Sequence, residues 1–359
     1  METQARFALT PVAGAITAAL YPSLQAVAQD DVTEAALEEI IVTATKREMS
    51  VQDIPATIQA ITSETLKQMG AKSMEDYARF IPSVNVVNFT NGSATIVFRG
   101  AITGAGFIAQ STSSVYLDEM SVTNTGAQPQ IRTIDVARVE ALSGPQGTLY
   151  GSDAQAGTMR IVTNKPVMNE FEAIIDGELR DNAPGEPSYR GSFVLNIPLV
   201  EDRLAARLVG FNDRDGGFID NVFGHTPDSL SVNTSLSVPA EWGTLDNADE
   251  VESDWNDSEV YGWRGMLRWD INDNWSATLS SMRQTTDTGA YNDYDPFVGD
   301  LQTIRFHDEW NYDVFNIHSL VLEADLGFAQ LVAATGYYDR EIQYFYDITV
   351  YGHYWAVQY

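Results

Sequence analysis

The 359-residue chain, 44% hydrophobic, is long enough to bury one or two cores, and nothing in its composition marks it as disordered. Its 50 acidic residues outweigh 21 basic ones, for a net charge of -29. That balance excludes a nucleic-acid binder, because phosphates demand a basic surface, and points to partners or surfaces carrying cations. The absence of cysteine excludes disulfides, thiolate metal sites and cysteine nucleophiles together.

In chain order, residues 1–28 have the form of a Sec-type export signal. Arg6 precedes an apolar run over 7–20, and Ala26-Val27-Ala28 supplies a small-residue cleavage site, with the cut expected after Ala28. No later stretch reaches about 18 apolar residues, so no membrane-spanning helix is expected. Residues 29–45 form a linker that holds Ile40, Ile41, Val42, Thr43 and Ala44. Such an extended, β-branched segment has free backbone edges that a partner can capture as an added strand.

Residues 46–166 mix short strand signals with helix signals and predict a compact α+β globule. One helix starts at Ser63 and stops at Gly70; Ser73 caps a second that runs to Pro82. Strands are expected at 83–87, 95–98, 115–117, 138–142 and 159–163.

After Pro166 the pattern changes to long segments alternating apolar and polar residues, the period of a strand with one wet and one greasy face. Tyr261, Trp263, Gly265, Leu267, Trp269 and Ile271 share one face, opposite Arg264, Arg268 and Asp270. Seven strands are expected, near 171–180, 188–199, 203–213, 259–271, 275–286, 313–324 and 328–341, and the aromatic tail from Tyr344 could begin an eighth. Connections alternate between tight turns and long loops, and the strands exceed the usual soluble length of about 5 or 6 residues. Both features suit a membrane barrel, as do aromatic residues near each end of the apolar face.

At this point the residues carry a resemblance. Residues 38–44 look like the TonB box of TonB-dependent receptors, and 51–61 and 80–86 resemble the first strand and the "PGV" region of their plug. Phe98-Arg99-Gly100 is similar to the "IRG" signature, and 114–120 to the "VYVDGV" strand. The most specific match is Arg138-Val139-Glu140-Ala141-Leu142-Ser143-Gly144-Pro145-Gln146-Gly147-Thr148-Leu149-Tyr150-Gly151, closed by Ala156-Gly157. The resemblance implies an α+β plug domain (46–166) followed by antiparallel transmembrane β-barrel strands (167–359). It implies no enzyme and no cofactor, but energy-coupled uptake of a large scarce ligand, a ferric siderophore foremost. Its implied partners are TonB with ExbB/ExbD, and lipid or lipopolysaccharide of a Gram-negative outer membrane.

Two departures from the family stand out. Ser143 replaces an arginine that, with the one matching Arg99, belongs to an ion-pair lock between plug and barrel; Glu172, Asp176 and Glu178 are candidate acids for Arg99, although the resemblance implies that the family's lock carboxylates lie in barrel sequence absent here. The family barrel has about 22 strands, and seven or eight exhaust this chain. An incomplete barrel is therefore expected, either a receptor fragment or a non-transporting product of a truncated gene. A signalling receptor would need an extra domain before the box, for which some ten residues leave no room.

The glycines of the long motif, Gly144, Gly147, Gly151 and Gly157, with Gly100, are expected to allow positive φ and close backbone approach. They form no phosphate loop, which would end in Gly-Lys-Ser/Thr. The loop over 241–259 is acidic but lacks the central glycine of a calcium loop and reads as a solvated face. His225, His307, His318 and His353 are scattered and read as loop or wall residues, with no metal expected.

Overall fold

The computed structural model describes residues 41–43, 46, 49–54, 56–90, 93–104, 110–226 and 245–349. The export signal, Ile40, Ala44, Glu241 and His353 fall outside the described residues.

A short antiparallel pair, β1 (Ile41–Val42) and β2 (Met49–Ser50), comes first. Next, β3 (Thr57–Thr62) runs directly into α1 (Ser63–Gln68), because Thr62 Oγ1 accepts the Thr65 N–H at 3.3 Å and caps the helix. In α2 (Met74–Ala78) the Asp76 carboxylate reaches back to the N–H groups of Lys72 and Ser73, at 2.9 and 3.0 Å. The strands β4 (Val84–Thr90), β5 (Ser93–Phe98), β6 (Ser113–Leu117), β7 (Met120–Ser121), β8 (Gln128–Pro129) and β9 (Val136–Ser143) follow. A single turn of helix, α3 (Gly147–Tyr150), then leads to β10 (Gly157–Thr163).

These elements form a five-stranded sheet, ordered β3-β9-β10-β6-β7, and a three-stranded one, β4-β5-β8. Every residue of β10 is buried, as both faces of a central strand must be. Gly157 is the tightest point: an added Cβ would lie 2.5 Å from the Phe98 ring and 2.7 Å from the Leu142 carbonyl. Gly157→Val should therefore destabilise the globule by about 1–3 kcal/mol or more, seen as a lower denaturant midpoint.

From β11 (Glu172–Arg180) onward the chain builds one seven-stranded antiparallel wall in sequence order. Its other members are β12 (Ser188–Val200), β13 (Leu204–Asp215), β15 (Ser258–Asn272), β16 (Trp275–Thr288), β18 (Trp310–Asp325) and β19 (Gln330–Phe345). The two-residue strands β14 (Asp220–Asn221) and β17 (Gln302–Thr303) pair in parallel within the long loops. Tight turns close one end of the wall and the long loops the other. All seven expected strands are present; Tyr344 and Phe345 belong to β19, where they pair with Asn311 and Trp310, and residues 350–359 of the expected eighth strand lie outside the described residues.

The alternation sorts the wall's two faces. Ile175 and Leu179 are almost fully exposed on the outer one, with Trp263 and Trp269 about half exposed. On the inner face Met282, Phe315 and Ile317 join the globule's own core of Met74, Tyr77, Phe98 and Met159.

Candidate functional site

Two polar assemblies distinguish the interior. The first holds the linker segment against the globule. Val42 is fully buried in a cluster with Ile58, Leu142 and Tyr150. Beside it, the Thr43 N–H donates to Glu140 Oε1 at 3.0 Å, and Thr43 Oγ1 accepts from both Arg138 and Arg160.

Glu140 and Arg160 are cross-strand neighbours on β9 and β10, which sets carboxylate and guanidinium side by side. Glu140 has no exposed surface; it pairs with Arg138 at 2.7 Å and with Arg160 at 3.3 Å, and Arg160 also pairs with Glu119. Lys46 closes the network on Glu119 at 2.6 Å and lies 4.8 Å from the centre of the Tyr150 ring. A cavity of about 1120 Å³ opens beside Thr43 and Lys46, towards the tight-turn end of the wall.

The second assembly clamps globule to wall. Asp135, between β8 and β9 with φ +54, receives Arg207 of β13 in a two-point pair at 2.7 and 2.8 Å. Arg264 of β15 adds bonds to its carboxylate at 3.0 Å and to its carbonyl at 2.8 Å. All three side chains are nearly inaccessible. Nearer the loop end, Arg340 of β19 pairs with Asp313 at 2.6 Å while donating to the Ala127 carbonyl at 2.7 Å, and Asn124 donates to the Tyr338 hydroxyl at 2.6 Å.

Arg99 takes no part in this clamp among the described residues. Arg99 and Gly100 both have positive φ, +50 and +77, and the Ala101 N–H returns to the Phe98 carbonyl at 2.9 Å. The two form the corner of a tight turn, which leaves Arg99 exposed. Its expected acids are engaged elsewhere, Glu172 with Arg207 and Glu178 with Arg180. In the Asp135 clamp the acid comes from the globule and the arginines from the wall. Ser143, where the family has arginine, bonds the Ser83 hydroxyl at 2.7 Å.

The other motif positions divide by role. Gly144 and Gly151 have φ +102 and +71, as expected, and flank Pro145 and α3. Gly147 has neither a positive φ nor a close neighbour. Buried Tyr150 stacks edge-on to Tyr116, whose hydroxyl donates to the Tyr150 carbonyl at 3.0 Å.

The family comparison decides what this arrangement belongs to: residues 50–158 match the TonB-dependent receptor plug domain. This part of the chain is a TonB-dependent receptor plug domain. Among curated relatives, the pesticin receptor of Yersinia pestis is 28% identical over 202 residues, 55% of this chain and 28% of that protein. The ferrioxamine B receptor of Salmonella typhimurium is 27% identical over 205 residues, again 55% and 28%. The chain thus spans less than a third of these relatives' length. Among solved structures, the ferric yersiniabactin uptake receptor of Yersinia pestis superposes with a TM-score of 0.61 at 19% identity, over 81% of this chain and 42% of that one. The ferripyoverdine receptor of Pseudomonas aeruginosa gives 0.55 at 15%, over 84% and 37%. These two likenesses establish the fold: a plug against strands of a β-barrel.

The long loops are knitted into a third assembly that the sequence reading did not anticipate. Asn256 Oδ1 accepts the N–H groups of Phe218 and Ile219, and Asn221 bonds the backbone of Glu250 and Arg305. Glu309, almost fully buried, accepts from the Asp347 N–H at 3.0 Å and pairs with Arg305 at 3.1 Å. Burial pushes its carboxyl up to about 7 from 4.5, against the pull of Arg305. A carboxyl raised on folding favours the native state while protonated, so loop stability should fall as pH rises from about 4.5 to 7. Glu309→Gln should flatten that slope, read as protease resistance of the loops at pH 5 against pH 8.

Proposed function

We propose that this chain is a receptor that sits in the outer membrane of a Gram-negative bacterium and imports a large scarce ligand, a ferric siderophore, through energy coupling to TonB with its ExbB/ExbD complex. The organisation that goes with this reading is an export signal over 1–28, a linker with the TonB box over 29–45, a plug over 46–166 and barrel wall over 167–359. The chemistry is binding and conformational work without a covalent step.

The observation that carries the reading is the seat of residues 41–43. A short strand lies against β2, rooted by Val42 in the plug core and by Thr43 on the Glu140 network. A partner that captures this segment as an added strand therefore pulls on β9 and β10 through one connected set of bonds. The wall's exposed aliphatic and aromatic face supports lipid contact, since an apolar surface of that extent is costly in water. The names of the relatives, three of which specify iron chelates, support the ligand class.

The test is uptake of iron-55 supplied as ferrioxamine B or ferric yersiniabactin, with Val42→Pro as the variant. Proline removes the strand's donor and should lower uptake by about tenfold or more while surface binding of the chelate persists. Undiminished import by a correctly folded Val42→Pro receptor would refute the box assignment, and failure of both chelates to bind would exclude them as ligands.

A further inference from the structure

We infer that the ligand's route opens between the plug and the loop-end half of β11 and β13, with Lys72, Arg132 and Asp213 as its gating residues. The inference rests on the transport reading above. It comes from a contrast within one interface. At the Asp135 clamp and at Arg340, plug and wall meet through direct bonds of 2.7–3.0 Å. Above the Asp135 clamp, six residues further along β13, the charges face each other without closing, and the direct plug-to-wall bonds beside them are those of Gln284 on β16, which donates to the Gln130 carbonyl at 2.7 Å and accepts the Arg132 N–H at 3.2 Å.

Asp213 is fully buried, yet neither carboxylate oxygen has a hydrogen-bond donor among the described residues. Its nearest cations, Arg132 of the plug and Arg180 of β11, each stand 3.7 Å away. Lys72 Nζ also lacks a hydrogen-bond partner among the described residues, with Glu178 at 3.9 Å, and so does Gln130 Nε2. Lys72, Gln130, Arg132 and Arg180 line a cavity of about 310 Å³, which Ser73 and Asp76 of the plug and Asp215, Ser258 and Thr286 of the wall complete.

Space of that size and polarity holds about ten waters at ~30 Å³ each. Groups that can be solvated before they separate lose little on parting, whereas a directly bonded buried pair pays the full desolvation of its charges. The interface should therefore part first along this cavity and last at Asp135. Retention of the Asn124–Tyr338 and Arg340–Ala127 contacts would leave the plug hinged on β19.

The receptor has no cysteine of its own, so introduced pairs can be bridged selectively. Glu75→Cys with Ser258→Cys spans the cavity; Asn124→Cys with Tyr338→Cys joins the plug to β19. Each pair is closed with a short, reducible bifunctional thiol reagent, and iron-55 ferrioxamine B and ferric yersiniabactin serve as probes. The cavity bridge should cut uptake by about tenfold or more, reversibly on reduction and without loss of surface binding, while the β19 bridge leaves it within about twofold. Undiminished uptake with the cavity bridged, or a block by the β19 bridge alone, would overturn the inference. Absence of uptake in the cysteine-free receptor would instead sink the transport reading, and this inference with it.

Discussion

Asp135→Ala should be the most damaging single substitution at the plug-to-wall interface. The carboxylate is bound by two arginines that have almost no exposed surface, Arg207 and Arg264. Its removal leaves Arg264 with only the Asp135 and Ile134 carbonyls, and Arg207 with Glu172 alone. Breaking a buried pair from one side costs about 3–5 kcal/mol, because the surviving charge stays in a medium that cannot solvate it. The expected outcome is a plug that protease clips in the folded receptor. The triple variant Asp135→Leu, Arg207→Met, Arg264→Met should recover most of the loss, since apolar groups of similar volume often replace a buried ion pair without penalty. If Asp135→Ala resists protease as the parent does, the clamp contributes nothing to docking.

The route from sequence to this clamp was only half legible. Alternation placed Arg264 on the wet face of its strand, and the wall forms with the expected faces because a period of two admits one register once one side is apolar. A mid-strand arginine facing inward implies an acid somewhere, but Asp135 lies 72 residues from Arg207 and 129 from Arg264, beyond any local pattern. The family's lock pointed to Arg99 instead. Two successive positive φ values put Arg99 on an exposed turn corner, where it takes no part in the Asp135 clamp.

The loops were less legible still. Asn221, Asn247 and Asn256 look like solvated loop residues in the sequence, yet each is nearly fully buried and bonds the backbone of a segment distant in the chain. Asparagine serves because its amide offers both donor and acceptor to a backbone that has no strand partner. The strand ends moved for a related reason. β18 begins at Trp310, not near 313, because Trp310 and Asn311 find partners in Phe345 and Tyr344, which composition alone had assigned to a separate tail.

The long motif, by contrast, carried its chemistry in plain sight, and its sharpest consequence concerns the amide of Thr43. Glu140 is the acceptor for that N–H and the counter-ion of Arg138 and Arg160. Glu140→Gln keeps the shape of the side chain but removes the charge that both arginines neutralise. A hydrogen bond to a charged group is worth about 1.5–3 kcal/mol, so the Thr43 amide should exchange with solvent deuterium about 10- to 150-fold faster. Arg138 and Arg160 would then repel each other across Thr43 Oγ1, with Arg160 still held by Glu119 and by the Asp118 carbonyl at 3.0 Å. Release should be local: amides of the wall keep their protection, because their bonds do not pass through Glu140. Unchanged exchange at Thr43 would mean that Val42, seated in the core beside Leu142 and Tyr150, holds the segment alone. The two variants thus separate the two anchors of the box: Val42→Pro acts on the buried strand, and Glu140→Gln on the charge beneath it. If both anchors bear load, the double variant should free the segment by more than either alone, since the two sites touch and their effects need not add.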